Sequence, residues 1–238
     1  MTPVFLRLFI AAAVCILISC GGKKQKDEPV SGNNADSDKN IQTLSNQPTG
    51  SAADSTLAPV KQYFEKELAI WAQSFKGFHI DSFRMTQSSG FEQTDYNETS
   101  DLKGFYELYK PSLSFSPDSN WFIDMYSAGV MLEKQGKKII ASSDLDQAVT
   151  LCNLKTKEWK RIASFGPSAG IEEAVWISPT AFILAGEMYN DNGDQQPIIL
   201  LGDVNSKSFR WYEANAKRPE SSKYKASGLS KLKIDEWE

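Results

Sequence analysis

The chain has 238 residues with 26 basic and 30 acidic side chains, a formal charge of −4, 41% hydrophobic residues, 15 Gly, 10 Pro, three Cys and one His. That composition excludes collagen-like and disulfide-framework chains, supplies no basic excess for nucleic-acid phosphates, and leaves no apolar run after the first twenty residues near the ~18 needed for a spanning helix. With one His and so few thiols there is little from which to build a catalytic zinc site, and no cofactor, metal or nucleic-acid partner is expected.

Met1 to Arg7 ends in a single positive charge, and Leu8 to Ile18 is an apolar run of eleven residues, a length that fits the core of a signal peptide. Leu17-Ile18-Ser19-Cys20, followed by Gly21-Gly22, resembles the lipobox of bacterial lipoproteins. The resemblance implies removal of residues 1–19, a diacylglycerol thioether on Cys20, and acylation of the new amine, a palmitate-type modification. Two or more acyl chains make membrane attachment stable where one does not. The lipidation site that the resemblance implies is Cys20, and the membrane is the first partner expected.

Residues 20–56 read as the lipidated Cys and a tether. From Gly21 to Val60 there is no aromatic residue, and Asn, Asp, Ser, Gly, Lys and Gln dominate, so the stretch cannot bury enough apolar surface to offset its ordering entropy. Lys26-Asp27-Glu28 resembles the charged export tags of some Gram-negative surface lipoproteins, the alternative being an ordinary linker triplet. Asp54-Ser55-Thr56 resembles a bacterial O-glycosylation acceptor, with helix capping as the alternative.

Residues 57–216 are expected to form a β domain with one helix at its start. Val60, Phe64, Leu68, Trp71 and Phe75 recur at spacings of 4, 4, 3 and 4, which predicts one amphipathic helix from Pro59 to Phe75. Eleven strands are predicted after it: Phe78 to Met85, Gly104 to Tyr109, Ser112 to Phe115, Trp121 to Tyr126, Lys138 to Ala141, Ala148 to Leu154, Trp159 to Phe165, Ala174 to Ile177, Ala181 to Met188, Pro197 to Val204 and Phe209 to Tyr212. The polar stretch Thr86 to Asp101 reads as a long loop.

Two segments repeat. Phe115-Ser116-Pro117-Asp118 and Ile177-Ser178-Pro179-Thr180 open two units whose Ser-Pro pairs lie 62 residues apart. Leu154-Lys155-Thr156-Lys157-Glu158-Trp159 and Val204-Asn205-Ser206-Lys207-Ser208-Phe209 close them at an offset of 50, which places about twelve extra residues of the first unit within Ser127 to Asp144. The pattern resembles β-propeller blades, although a closed ring needs about four to eight of them. The fold class expected is mainly β, antiparallel meander sheets resembling an incomplete propeller, with a β-sandwich as the alternative. An unclosed stack should leave a sheet edge open to strand addition, or covered by the helix or the C-terminal tail.

Motifs with chemical potential are few. Gly166-Pro167-Ser168-Ala169-Gly170 matches the G-x-S-x-G string, but the sole His, His79, precedes it and a strand follows, so a turn between strands is the better reading. Cys152 reads as a small buried hydrophobe, and His79 as a strand residue. Asn190-Asp191-Asn192-Gly193-Asp194 has some calcium-loop character but reads as a hairpin turn. Glu172-Glu173 are expected on opposite sides of a strand, too divergent to flank one bond. Residues 217–238 carry six basic side chains and are expected to be a solvated basic tail whose Leu229, Leu232 and Trp237 dock weakly, or an electrostatic contact for an acidic partner or glycan. No catalytic or cofactor-binding residue is assigned. The function expected is a non-enzymatic cell-envelope lipoprotein, at the outer membrane, presenting a β domain to a protein or glycan; the alternative is a hydrolase using carboxylates or the Ser168 loop.

Overall fold

The apolar stripe that opens the folded part is buried as its spacing predicts, with Val60, Phe64, Leu68, Trp71 and Phe75 all inside. The computed structural model describes residues 57–96 and 102–238; residues 1–19, Cys20, the tether to 56 and its Lys26-Asp27-Glu28 and Asp54-Ser55-Thr56 motifs lie outside them. The stripe does not run along one helix. A 3-10 turn, Ala58–Val60, leads into α1 (Lys61–Glu65), and α2 (Ala69–Gln73) follows a break. At the break the Leu68 N–H reaches back to the Tyr63 carbonyl at 2.8 Å, one residue further than an α-helical bond. Ile70, off the stripe, is exposed.

The strand expected over Phe78 to Met85 is instead a 3-10 turn, Ile80–Ser82, followed by β1 (Arg84–Gly90). β1 and β2 (Thr94–Asp95) occupy the stretch expected to be a loop. β1 is polar because it is an edge strand: its residues are exposed or half-buried, while its backbone pairs with β12 (Ser208–Glu213). The strand expected over Gly104 to Tyr109 is a helix, α3 (Leu102–Tyr109). Its buried residues, Phe105 and Tyr109, are four apart, a helical spacing hidden by aromatic, strand-favouring composition.

The mainly β reading holds. The first repeat unit is β3 (Ser114–Phe115), β4 (Trp121–Asp124), β7 (Gln147–Asn153) and β8 (Trp159–Phe165), and the second is β9 (Ala169–Trp176), β10 (Ala181–Tyr189), β11 (Gln195–Asp203) and β12. Each is an antiparallel meander extended to five strands, the first by β2 on β8 and the second by β1 on β12. The hairpin β5 (Val130–Gln135) and β6 (Lys138–Ser143) interrupts the first unit and forms a third sheet with β13 (Glu236–Trp237). Among the described residues no sheet closes on itself.

The repeat extends to its turn chemistry. Ser116 Oγ accepts the Trp121 N–H at 3.0 Å, and Ser178 Oγ accepts the Ala181 N–H at 2.9 Å. Lys157 and Lys207, fifty residues apart, both take left-handed backbone at φ 63° and 51°. The surplus of the first unit is shared between two places: its Ser-Pro corner is two residues longer, and the remaining ten fall in the stretch that carries the hairpin.

Alternation along the second sheet divides the core. Phe182, Leu184, Ile198, Leu200 and Phe209 pack with the first sheet and α3, while Ile183, Ala185, Ile199, Leu201 and Tyr212 pack under the N-terminal helices. The second sheet is thus buried on both faces. On the first sheet Phe105 of α3 meets Phe122 and Trp159, with ring centroids 6.3 and 4.8 Å apart. No helix among the described residues is long and apolar enough to cross a membrane.

Candidate functional site

Strict alternation would send Glu172 and Glu173 to opposite sides of β9. A β-bulge removes that constraint: Ala185 stands opposite Glu173 and Gly186 opposite Ile171, so Glu172 is an extra residue. The bulge requires glycine at position 186, because a Cβ there would lie 2.0 Å from the Gly170 carbonyl oxygen. Both carboxylates consequently engage the segment 217–238.

Arg218, with only 8% of its side chain exposed, donates to Glu172 through Nη1 at 2.8 Å and Nη2 at 2.6 Å, to Glu187 through Nη1 at 2.6 Å, and to Ser74 Oγ through Nε at 3.2 Å. Trp71 Nε1 donates to Glu172 at 2.9 Å, and the guanidinium lies over the Phe75 ring at 4.3 Å and the Tyr224 ring at 4.9 Å. Burial alone would favour a neutral guanidine. The adjoining Glu172 and Glu187 outweigh it and raise the Arg218 pKa. Burial raises the Glu187 pKa, the Glu172 charge adds to the rise, and Arg218 opposes it. Glu173 accepts from the Tyr224 hydroxyl, the Ser227 N–H and the Ser227 hydroxyl. The phenol of Tyr224 is held neutral by burial and by that carboxylate.

The expectation of a solvated tail is therefore corrected. Arg218, Ala226 and Leu232 are inside, a 3-10 turn spans Leu229–Lys231, and β13 pairs with β6; the lysines stay on the surface. The strap passes Tyr126 at Gly228, where a Cβ would lie 2.5 Å from the ring. Tyr126 in turn donates to the Glu172 carbonyl at 2.9 Å.

Between the strap, the root of the β5–β6 hairpin and the starts of β7 and β9 lies a cleft of about 740 Å³. Its floor includes Gln147, whose amide donates to the Met125 and Ile171 carbonyls at 2.9 and 2.8 Å and accepts the Ile171 N–H at 2.7 Å, tying the two meanders together. Its lips carry Leu145, 79% exposed, and Trp237, 53% exposed, with Asp144, Asp146 and Lys225 among the lining groups. A neighbouring cleft of about 550 Å³ shares Asp146 and Gln147.

The remaining sequence candidates separate. Ser168 lies in the turn before β9, with its carbonyl accepting the Tyr189 N–H, and a strand rather than the helix of a nucleophile elbow follows. His79 precedes the Ile80–Ser82 turn, not within a strand as expected. Cys152 is a buried free thiol whose pKa burial pushes up to about 11. Asn190 Oδ1 accepts the Asn192 and Asp194 N–H groups, both at 2.9 Å, and Asp194 pairs with Lys217, so the loop is a hairpin turn. Among the described residues no three His, Cys, Asp or Glu side chains are grouped to hold a metal ion. Tyr224, Ser227 and Gln147 carry no sequence signal of their own, and Arg218 is legible only as one of the six basic residues of the stretch. The one signal for the strap is the run of apolar positions Tyr224, Ala226, Leu229, Leu232, Ile234 and Trp237 within a basic stretch.

No family model matches the chain, and comparison with curated proteins and with solved structures finds no match.

Proposed function

We propose that the chain is a non-enzymatic cell-envelope lipoprotein, anchored at the outer membrane through Cys20, with residues 20–56 as tether and the β body offering its strap-walled cleft to a protein or glycan partner.

The observation that carries the binding reading is the contrast between satisfied and free groups. The converging carboxylates Glu172, Glu173 and Glu187 are engaged by donors of the chain itself, which makes them a clamp rather than an acid–base pair. The exposed apolar side chain of Leu145 instead stands at the cleft of about 740 Å³, where a partner can bury it. The test of the anchor is Cys20→Ala, which should abolish acylation and move the protein out of the detergent phase; full retention with membranes would overturn it. The test of the cleft is Leu145→Ser against panels of envelope glycans and peptides. Ligands bound by the wild type should lose at least tenfold in affinity, and unchanged binding would reject the cleft.

A further inference from the structure

The edge of β6 is occupied, and its occupant displays the chemistry that the edge selects. Residues 235–238 run parallel to β6, with Glu236 opposite Ile140 and Trp237 opposite Ala141. The Asp235 N–H donates to the Ile139 carbonyl at 2.8 Å and the Glu238 N–H to the Ala141 carbonyl at 2.9 Å. The Asp235 carboxylate accepts the Ile139 N–H at 2.7 Å, and the Lys138 ammonium reaches both Glu236 oxygens at 3.2 Å. Trp237 then stands on the cleft lip. Three successive residues are read in three ways: an Asp caps an edge amide, an acid meets a lysine, and an aromatic ring meets the cleft.

This occupant is held lightly. β13 is two residues long and exposed, and its ion pair joins side chains more than half exposed, a type that contributes little. The strap upstream is held independently by the buried Arg218 clamp and by Ser227 on Glu173. The last residues can leave β6 without releasing the rest of the strap. A vacated edge offers main-chain groups for affinity and side-chain sites for selection, the mode by which extended peptides add to sheets.

We infer that the β6 edge, with Lys138 and the cleft lip, is a strand-addition site for an extended Asp-acidic-aromatic segment of a partner protein, and that Asp235 to Glu238 close it in cis as a removable latch. The inference rests on the binding part of the function proposed above, not on the anchor. The intramolecular latch enjoys a high effective concentration, so a partner must displace it or meet it already open.

The test uses a fluorescent peptide of residues 231–238 with the full chain and with a chain ending at Ile234. The shortened chain should bind the peptide saturably, and the full chain at least tenfold more weakly. Lys138→Glu in the shortened chain should weaken binding at least fivefold, and a peptide carrying Glu236→Lys should recover it. If the shortened chain fails to fold, a full chain carrying Asp235→Lys and Glu236→Lys opens the latch by charge and should bind the wild-type peptide. Equal binding by full and opened chains, equal binding of a scrambled peptide, or no binding to a folded opened chain would overturn the inference. A glycan captured at the cleft by a chain that ignores the peptide would overturn it while leaving the binding function standing.

Discussion

The two repeat units share a meander and its turn chemistry but differ in what surrounds them. The second, β9 to β12, is buried on both faces and carries a clamp of buried charge at its bulge. The first is interrupted by a hairpin whose outer edge is held by a two-residue strand and an exposed ion pair. Two meanders of like turn chemistry thus differ in how they are held, one by a buried clamp and the other, at its inserted hairpin, by exposed contacts.

The comparison is tested most strongly at its charges. Arg218→Ala leaves Glu172 and Glu187 half-buried without their cation, and removing one partner of such a cluster costs about 3–5 kcal/mol. Lys138→Ala removes an exposed pair and should cost less than about 1 kcal/mol. Urea midpoints of the two variants should differ accordingly. Similar losses in both would show that the two units are held alike.

The second test concerns what the units share. Asn153 Oδ1 accepts the N–H groups of Lys155 and Thr156 at 2.9 and 3.1 Å, and Asp203 Oδ1 accepts that of Ser206 at 2.7 Å, at equivalent turns. Asn153→Ala and Asp203→Ala should each cost about 1 kcal/mol, the usual net worth of such bonds. A loss confined to one unit, read by thermal denaturation, would break the equivalence.

What the sequence made legible follows from the range of the interactions involved. The stripe Val60, Phe64, Leu68, Trp71 and Phe75 and the paired Ser-Pro corners depend on spacing and local turn chemistry, and both are found where they were expected. α3 is hidden because the strand-favouring aromatic type of its residues masks the four-residue spacing of Phe105 and Tyr109. β1 carries no apolar signal because an edge strand needs no apolar face when its neighbour supplies the core. The clamp was illegible for a different reason: Arg218 meets Glu172 and Glu187 across 46 and 31 residues, and the bulge that turns Glu172 toward it exists only through pairing with Gly186. The lipidation proposed for Cys20 rests on a local motif alone, and the Cys20→Ala fractionation is its test.

The finest test turns on pH. The folded Glu187 carboxyl has a pKa above its ordinary value, chiefly through burial. Folding therefore favours its protonated form, and its contribution to stability is fully present below the unfolded carboxyl pKa of about 4.3 and is lost as pH rises through the raised folded value. Arg218 limits the size of this effect by favouring the carboxylate, so the change is expected to be smaller than either loss above. Glu187→Gln removes the titration while keeping an oxygen for the Gln195 amide, which donates to Glu187 Oε1 at 3.1 Å. Relative to wild type, the variant should therefore become progressively more favourable, or less unfavourable, as pH rises from about 4 into the neutral range. The difference in urea midpoint between the two proteins across that range isolates Glu187 from every other carboxyl. A difference that runs the opposite way would mean that the Arg218 pair, not burial, governs this carboxylate, and that the clamp of the second unit is held by attraction strong enough to overcome its own desolvation.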